Sequence, residues 1–175
     1  MMKITLLLVI SAFLLLSCGS QSNENRQPER QELRESLLGA NVMLIDAEDQ
    51  EIRDFIDRHG WEMKATGSGL RYMIYEKGTG PKAEKDRIAH LHYTMSLITG
   101  DLIYSSEDDG IRQFRIGRGG VESGLEEGIL LLRVGDRARF ILPSHLAHGV
   151  PGDGVKIPKR ATIIYDIELV DITSK

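Results

Sequence analysis

Ile88-Ala89-His90-Leu91-His92-Tyr93-Thr94-Met95-Ser96-Leu97-Ile98 is the stretch from which the fold can be read. Ala89, Leu91, Tyr93, Met95 and Leu97 alternate with His90, His92, Thr94 and Ser96. Successive strand side chains point to opposite faces, so this is a long strand with one face for the core. Thr99-Gly100-Asp101 turns the chain into Leu102-Ile103-Tyr104, and Phe114-Arg115-Ile116 is a further short strand before Gly117. Upstream, Leu70, Tyr72 and Ile74 alternate with Arg71, Met73 and Tyr75 until Gly78-Thr79-Gly80-Pro81 breaks the pattern. Downstream, Arg137 to Leu142 and Ala161 to Val170 read as strands, with a Pro-, Gly- and His-rich loop between them from Pro143 to Arg160. The second strand sets Ile163, Tyr165, Ile167 and Leu169 against Thr162, Ile164, Asp166 and Glu168. Leu125, Ile129 and Leu132 recur at i, i+4 and i+7 around Glu126 and Glu127, which marks a short amphipathic helix closed by Val134-Gly135-Asp136. The expected architecture is α+β: a meander of short antiparallel strands with one covering helix.

The N-terminal third reads differently. Asp46 as N-cap with Asp49 three residues on, Ile52, Phe55 and Ile56 at helical spacing, and Gly60 as a stop predict a helix near Ala47 to His59. Leu33, Leu37, Leu38 and Val42 outline an earlier helix, which Gly39 and Asn41 interrupt. This helical lead-in, residues 33–65, either packs on the domain at 66–175 or joins copies of the chain, and the sequence leaves both open. Residues 18–32 are polar without apolar periodicity and read as a flexible tether. Residues 1–17 carry Lys3, an apolar run from Ile4 to Leu16 and a small Ser17, the layout of an export signal. That run spans roughly 20 Å at about 1.5 Å per residue, short of the roughly 30 Å hydrocarbon layer, which argues against a permanent membrane span.

Composition narrows the function classes. The 175 residues are 41% hydrophobic and 27% charged, which fits one compact domain with a tail and excludes a collagen-like, wholly disordered or multi-span chain. Lys and Arg number 22 against 26 Asp and Glu, so no nucleic-acid partner is expected. Cys18 is the sole cysteine, which excludes a disulfide framework and a Cys-based zinc site. His90 and His92 share a strand face, and His145 and His148 lie three apart in a loop. Nothing fixes carboxylates at convergent positions beside them, so rim histidines, no metal and no cofactor are expected. Gly117-x-Gly119-Gly120 lacks the lysine and the parallel βαβ setting of a phosphate loop.

Two resemblances then enter. Leu15-Leu16-Ser17-Cys18 resembles the lipobox of bacterial lipoproteins, which implies a lipidated Cys18, cleavage before it and a mature chain anchored in the cell envelope, on the outer membrane facing the periplasm. Several acyl chains matter there, because each buried CH₂ contributes about 0.8 kcal/mol and one chain anchors only marginally. His92-Tyr93-Thr94, Gly100, Ser105-Ser106, Phe114-x-Ile116-Gly117, Val121-Glu122-x-Gly124-Leu125-Glu126-Glu127-Gly128, Val134-Gly135, Ile157-Pro158-x-x-Ala161-Thr162 and Tyr165-Asp166-Ile167-Glu168-Leu169 resemble FKBP-type peptidyl-prolyl isomerases, collinearly from about Leu70 to Ile172. With the lipobox and lead-in, the chain resembles bacterial FKBP-type lipoproteins, among them gliding-motility-associated isomerases.

The resemblance implies a curved antiparallel sheet wrapped around one short α-helix. It also implies cis/trans isomerisation of proline-containing polypeptides, in aid of folding exported proteins. Such chemistry needs no nucleophile. An X-Pro bond is held by amide resonance, a barrier of about 18–20 kcal/mol, so catalysis means binding the twisted amide better than either planar form. An apolar pocket suits that form. By the resemblance, Tyr93 is a pocket wall, Ile103 and Tyr104 lie at the hairpin end, and Val121 and Glu122 line the floor edge. The Glu122 backbone N–H holds a substrate carbonyl, Leu125 is the base, and Ile157, Tyr165 and His148 border the opening. Periodicity alone assigns Tyr93, Val121, Leu125 and Tyr165 to core packing. The family's drug-binding members carry an aspartate where this chain has Tyr104, a tryptophan at Leu125, a tyrosine at His148, a phenylalanine at Arg112 and an isoleucine at Glu122. Tyr104, Leu125 and His148 also suit an alternative, an FKBP-fold binding module or chaperone with little turnover.

Overall fold

The computed structural model describes residues 26–174. Residues 1–17, read as an export signal, and Cys18 lie outside the described residues. The chain divides into two units, Met1–Ile45 and Asp46–Lys175, and the boundary falls within helix α1 (Arg26–His59).

Helix α1 corrects two expectations. Residues 26–32, read as tether, are helical, and the two helices expected on either side of Gly39 and Asn41 are one continuous helix. Pro28 is tolerated because first-turn N–H groups have no intrahelical partner. One interior glycine costs about 1 kcal/mol relative to alanine, which the surrounding Leu, Ala, Glu, Gln and Arg residues offset. Side-chain bonds at i, i+4 from Gln31 to Glu35 (3.2 Å) and from Gln50 to Asp54 (2.6 Å) support the exposed face. Asp46 and Asp49 are therefore interior residues and not an N-terminal cap. In the first unit, Leu33, Leu37, Leu38, Val42, Met43, Leu44 and Ile45 are all exposed.

In the second unit the last turns of α1 bury Ile52 and Phe55 against Ile141 and Ile164. Phe55, His59 and Trp61 stack at its end, the first two with centroids 3.9 Å apart. The Glu48 carboxylate accepts hydrogen bonds from the Ser144 N–H (2.6 Å), the Ser144 hydroxyl (3.0 Å) and the Thr162 hydroxyl (2.7 Å). Three donors satisfy a carboxylate that would otherwise be costly beside the buried Ser144 and Thr162.

The sheet comprises β1 (Lys64–Ala65), β2 (Arg71–Glu76), β3 (Ile88–Leu97), β4 (Leu102–Ser105), β5 (Arg112–Arg115), β6 (Arg137–Leu142) and β7 (Ile163–Thr173). Its order is β1-β2-β6-β7-β3-β4, with β5 also on β3 and every pair antiparallel. This is no meander. The last strand, β7, lies in the centre and pairs with β3 from Ile88↔Thr173 to Leu97↔Ile163. On its other edge β3 holds β5 along its first half and β4 along its second. Between β4 and β5 the chain forms a one-turn helix, α2 (Ser106–Asp109), whose N-cap Ser105 accepts the Asp108 N–H.

Ala89, Leu91, Tyr93 and Met95 are buried as the alternation requires, together with Phe140, Leu142, Ile163, Tyr165, Ile167 and Leu169. Helix α3 (Ser123–Ile129) covers this face and buries Leu125 and Ile129 completely, each worth about 1.5–3 kcal/mol. Two glycines set its close approach: a Cβ on Gly124 would stand 2.6 Å from Leu142 Cγ, and one on Gly128 2.6 Å from Phe140 Cε2.

Candidate active site

At the end of the sheet where β3, β5 and β7 meet, register brings the chemistry together. Arg112 pairs with Leu91 across β5 and β3, which sets it two residues from Tyr93 on the same face. Tyr165 pairs with Met95 across β7 and β3, and the rings of Tyr93 and Tyr165 lie 6.0 Å apart. Glu122 occupies the N-cap of α3 without a side-chain capping bond, so its carboxylate is available elsewhere.

That carboxylate turns inward. Glu122, 4% exposed along its side chain, accepts from the Tyr165 hydroxyl at 3.0 Å, from Arg112 Nη2 at 3.2 Å, and pairs with His148 Nε2 at 3.0 Å. Arg112 Nη1 donates to the Tyr165 hydroxyl at 2.8 Å, and its guanidinium carbon stands 5.8 Å from the centre of the Tyr93 ring. Arg112, Glu122 and His148 are three of the five places where the sequence departs from the drug-binding pattern, and in space they form one hydrogen-bonded cluster. This charged group stands beside the apolar Tyr93, Val121, Leu125 and Ile157. Once an arginine replaces an aromatic residue there, a buried carboxylate must neutralise it, since an unpaired charge in that setting costs several kcal/mol.

The protonation states follow. Burial, and then the neighbouring Glu122 charge, push the Tyr165 hydroxyl well above the ordinary tyrosine value, so it remains a donor. Burial alone would lower the Arg112 guanidinium, but Tyr165, Glu122 and Tyr93 outweigh it and hold it above the usual arginine value. Burial and then Asp109, 3.4 Å away, raise Tyr93.

A second polar group borders the opening. The Tyr104 hydroxyl donates to Asp153 at 2.6 Å, and Lys156 Nζ sits 4.7 Å from the centre of the Tyr104 ring while donating to the Ile103 carbonyl at 3.0 Å. The other Asp153 oxygen accepts the N–H groups of Val155, Lys156 and Ile157 at 2.7–2.9 Å. Burial would raise Asp153, but the Tyr104 hydroxyl and these N–H groups hold it well below the usual carboxylate range. Tyr104 was expected to leave this place without a carboxylate, yet one arrives from the facing loop.

All nine residues singled out from the sequence lie together. Tyr93, Leu125, Ile157 and Tyr165 belong to one buried cluster, Ile103, Tyr104 and Val121 pack against it, and Glu122 and His148 are bonded to its edge. Arg112 and Asp153 were missed as site residues. Asp153 sits in Pro151-Gly152-Asp153-Gly154, a turn signal whose aspartate commonly accepts the following N–H groups. The remaining histidines go separate ways: His59 to the Phe55 carbonyl, His90 to Thr173, His92 to Ser106 and His145 to the Ser68 carbonyl. Among the described residues no group of three or more His, Cys, Asp or Glu is placed to hold a metal ion.

Residues 80–170 match the family model of the FKBP-type peptidyl-prolyl cis-trans isomerases. The chain is 40% identical over 111 residues to the FKBP-type peptidyl-prolyl cis-trans isomerase FkpA of Aeromonas hydrophila, covering 63% of this chain and 40% of that protein. It is 34% identical over 112 residues to the FKBP-type 22 kDa peptidyl-prolyl cis-trans isomerase of Escherichia coli, covering 63% and 53%. Among solved structures, AtFKBP13 superposes with a TM-score of 0.61 at 32% identity over 63% of this chain and 98% of that one. FkpA from Escherichia coli gives 0.63 at 27% identity over 98% and 82%. The chain thus spans from 40% to 53% of the length of these two curated relatives.

Proposed function

Because the chain belongs to the FKBP-type peptidyl-prolyl cis-trans isomerase family, we propose that it is itself an isomerase, acting on proline-containing polypeptides and assisting the folding of exported proteins. The observation that carries this reading is the convergence of Tyr93, Val121, Leu125, Ile157 and Tyr165 in one cluster at the helix-covered end of the sheet, with the Glu122 N–H at its edge. In this reading the X-Pro unit lies against Tyr93, Val121 and Ile157 above the buried Leu125 and Tyr165, the Glu122 N–H holds a substrate carbonyl, and the twisted amide is bound better than either planar form. Slow X-Pro steps limit folding on the scale of tens of seconds, which gives such an activity its use. The test is exchange of a proline peptide with and without the protein: acceleration supports the reading, and the buffer rate at saturating protein rejects it.

A second reading, a binding module with little turnover, is favoured by one observation. Arg112 and Glu122 are interposed at the floor, and Leu125 and Tyr165 have no exposed surface. The same assay decides between the two.

The setting we propose is the periplasmic side of the cell envelope, with the chain tethered through a lipid on Cys18. No helix among the described residues is long and apolar enough to cross a membrane. We further propose that residues 33–45 of α1 pair copies of the chain, since their apolar side chains are all but continuously exposed.

A further inference from the structure

The part of the candidate site that a substrate can touch combines the half-buried Ile103, Tyr104 and Val121 with polar groups. Leu125 and Tyr165 have no exposed surface and Ile157 has little, whereas the Arg112 side chain keeps 25% of its surface exposed and that of His148 28%. A peptide entering the site meets the guanidinium before the floor. Two of the five guanidinium N–H groups are committed, one to the Tyr165 hydroxyl and one to Glu122 Oε2. Nε has no partner among the described residues and is not a buried atom left unsatisfied. Two fixed acceptors and the Tyr93 ring hold the guanidinium in one orientation, with donors to spare on its open side.

We propose that Arg112 is a catalytic residue of the isomerisation, donating a hydrogen bond from its guanidinium to the prolyl nitrogen of the substrate as the X-Pro amide twists. The proposal rests on the isomerase reading and adds a residue to it. In the planar amide the nitrogen lone pair is delocalised into the carbonyl and accepts poorly; twisting breaks that delocalisation and localises the pair on nitrogen. A donor placed there binds the twisted form and neither planar form, which is the condition for lowering the barrier. No covalent bond forms or breaks, and the proton stays on the guanidinium. The Glu122 carboxylate and the Tyr165 hydroxyl are positioning groups: they aim the donor.

The experiment measures kcat and KM for a proline peptide by exchange spectroscopy, with folding followed by circular dichroism. It uses the unaltered protein, Arg112→Lys, and the double substitution Arg112→Met with Glu122→Met. Lysine keeps a cation beside Glu122 but cannot reach Glu122, Tyr165 and a substrate together. The expected result is a fall in kcat of about ten- to a hundredfold in both variants, the weight of one charge-assisted hydrogen bond made only in the transition state, with KM held within about threefold. A double variant that folds and matches or exceeds the unaltered kcat overturns the proposal, as does a loss confined to KM. If the double variant does not fold, Arg112→Lys decides, and an unchanged kcat there overturns it. An unaltered protein no faster than buffer rejects the isomerase reading and this proposal together, before any substitution is made.

Discussion

Replacing Arg112 with methionine should destabilise the protein far more than replacing both members of its ion pair. The Glu122 side chain is 4% exposed, and Arg112 is the one arginine or lysine that bridges it among the described residues. Breaking a buried pair costs about 3–5 kcal/mol. Here Arg112 is a quarter exposed, and the Tyr165 hydroxyl and His148 still face the carboxylate, so the lower end applies, about 3 kcal/mol. Glu122→Met leaves the guanidinium with the Tyr165 oxygen and solvent, which should cost about 1–2 kcal/mol. The double variant buries no uncompensated charge and places two flexible apolar side chains against Tyr93 and Tyr165, so its net change should stay within about 1 kcal/mol. The cycle therefore predicts a coupling of about 3–5 kcal/mol. Urea unfolding of the four proteins, read by circular dichroism with a common slope, measures it. Losses that add within about 0.5 kcal/mol would show that Glu122 is not held by Arg112 and that the cluster is not one electrostatic unit.

Four further outcomes follow from the same structure. Asp153 is held below its ordinary value, so the contribution of its bonds to the 153–157 loop is present above about pH 4 and is lost only as pH falls through its own lower value. Tyr104→Phe should move the Asp153 carboxyl titration upward in carbon-detected NMR, and an unmoved titration would deny the bond. Burial and Asp166 push Tyr75 up to about 12, and burial also raises Tyr93 and Tyr165, so stability present below about pH 10 should fall as pH rises from there toward 12. A flat unfolding midpoint across that range would contradict these assignments. Gly128→Ala should destabilise by about 1–3 kcal/mol in urea unfolding, because the new methyl would meet the buried Phe140 ring at 2.6 Å; a neutral result would mean that α3 does not press on β6. Cys18→Ser should release the protein from the detergent phase into the aqueous phase, and retention would reject the lipid anchor.

Much of the sheet was legible because period-two alternation reports which face is buried, and the buried set of β3 and β7 matches Ala89, Leu91, Tyr93, Met95 and Ile163, Tyr165, Ile167, Leu169. Alternation says nothing of which strand pairs with which, and so the central place of β7 and the split edge of β3 were invisible. Ile164, set on the polar face by its spacing, is buried because the end of α1 packs there, a contact between residues more than a hundred positions apart. Helix α1 was misread as two because a glycine weighs heavily in a local window, whereas a long run of good helix formers carries it through. The departures at Arg112, Glu122 and His148 were each visible. Their meeting was not, since it depends on register between β5, β3 and β7 and on an N-cap residue whose side chain does not cap.

The two polar features of the site obey one constraint. A site partly closed to water tolerates a charge only beside its complement, so a substitution at one position demands an answer at another. Arg112, on β5, is answered by Glu122, at the N-cap of α3. Tyr104 removes a carboxylate from the hairpin, and Asp153 supplies one from the loop, bonded to the tyrosine that displaced it. In both cases hydrogen-bonding capacity is kept while the element that carries it changes. Residue-by-residue comparison would score each position as a loss. In the proposed reading the two pairs keep donors and acceptors matched at the site. Asp153 ties the loop at 153–157 to Tyr104 and Lys156 ties it to the Ile103 carbonyl, so, if the proposed site is correct, substitutions there should change KM for a proline peptide before they change the unfolding midpoint, and an unchanged KM would separate the loop from the site.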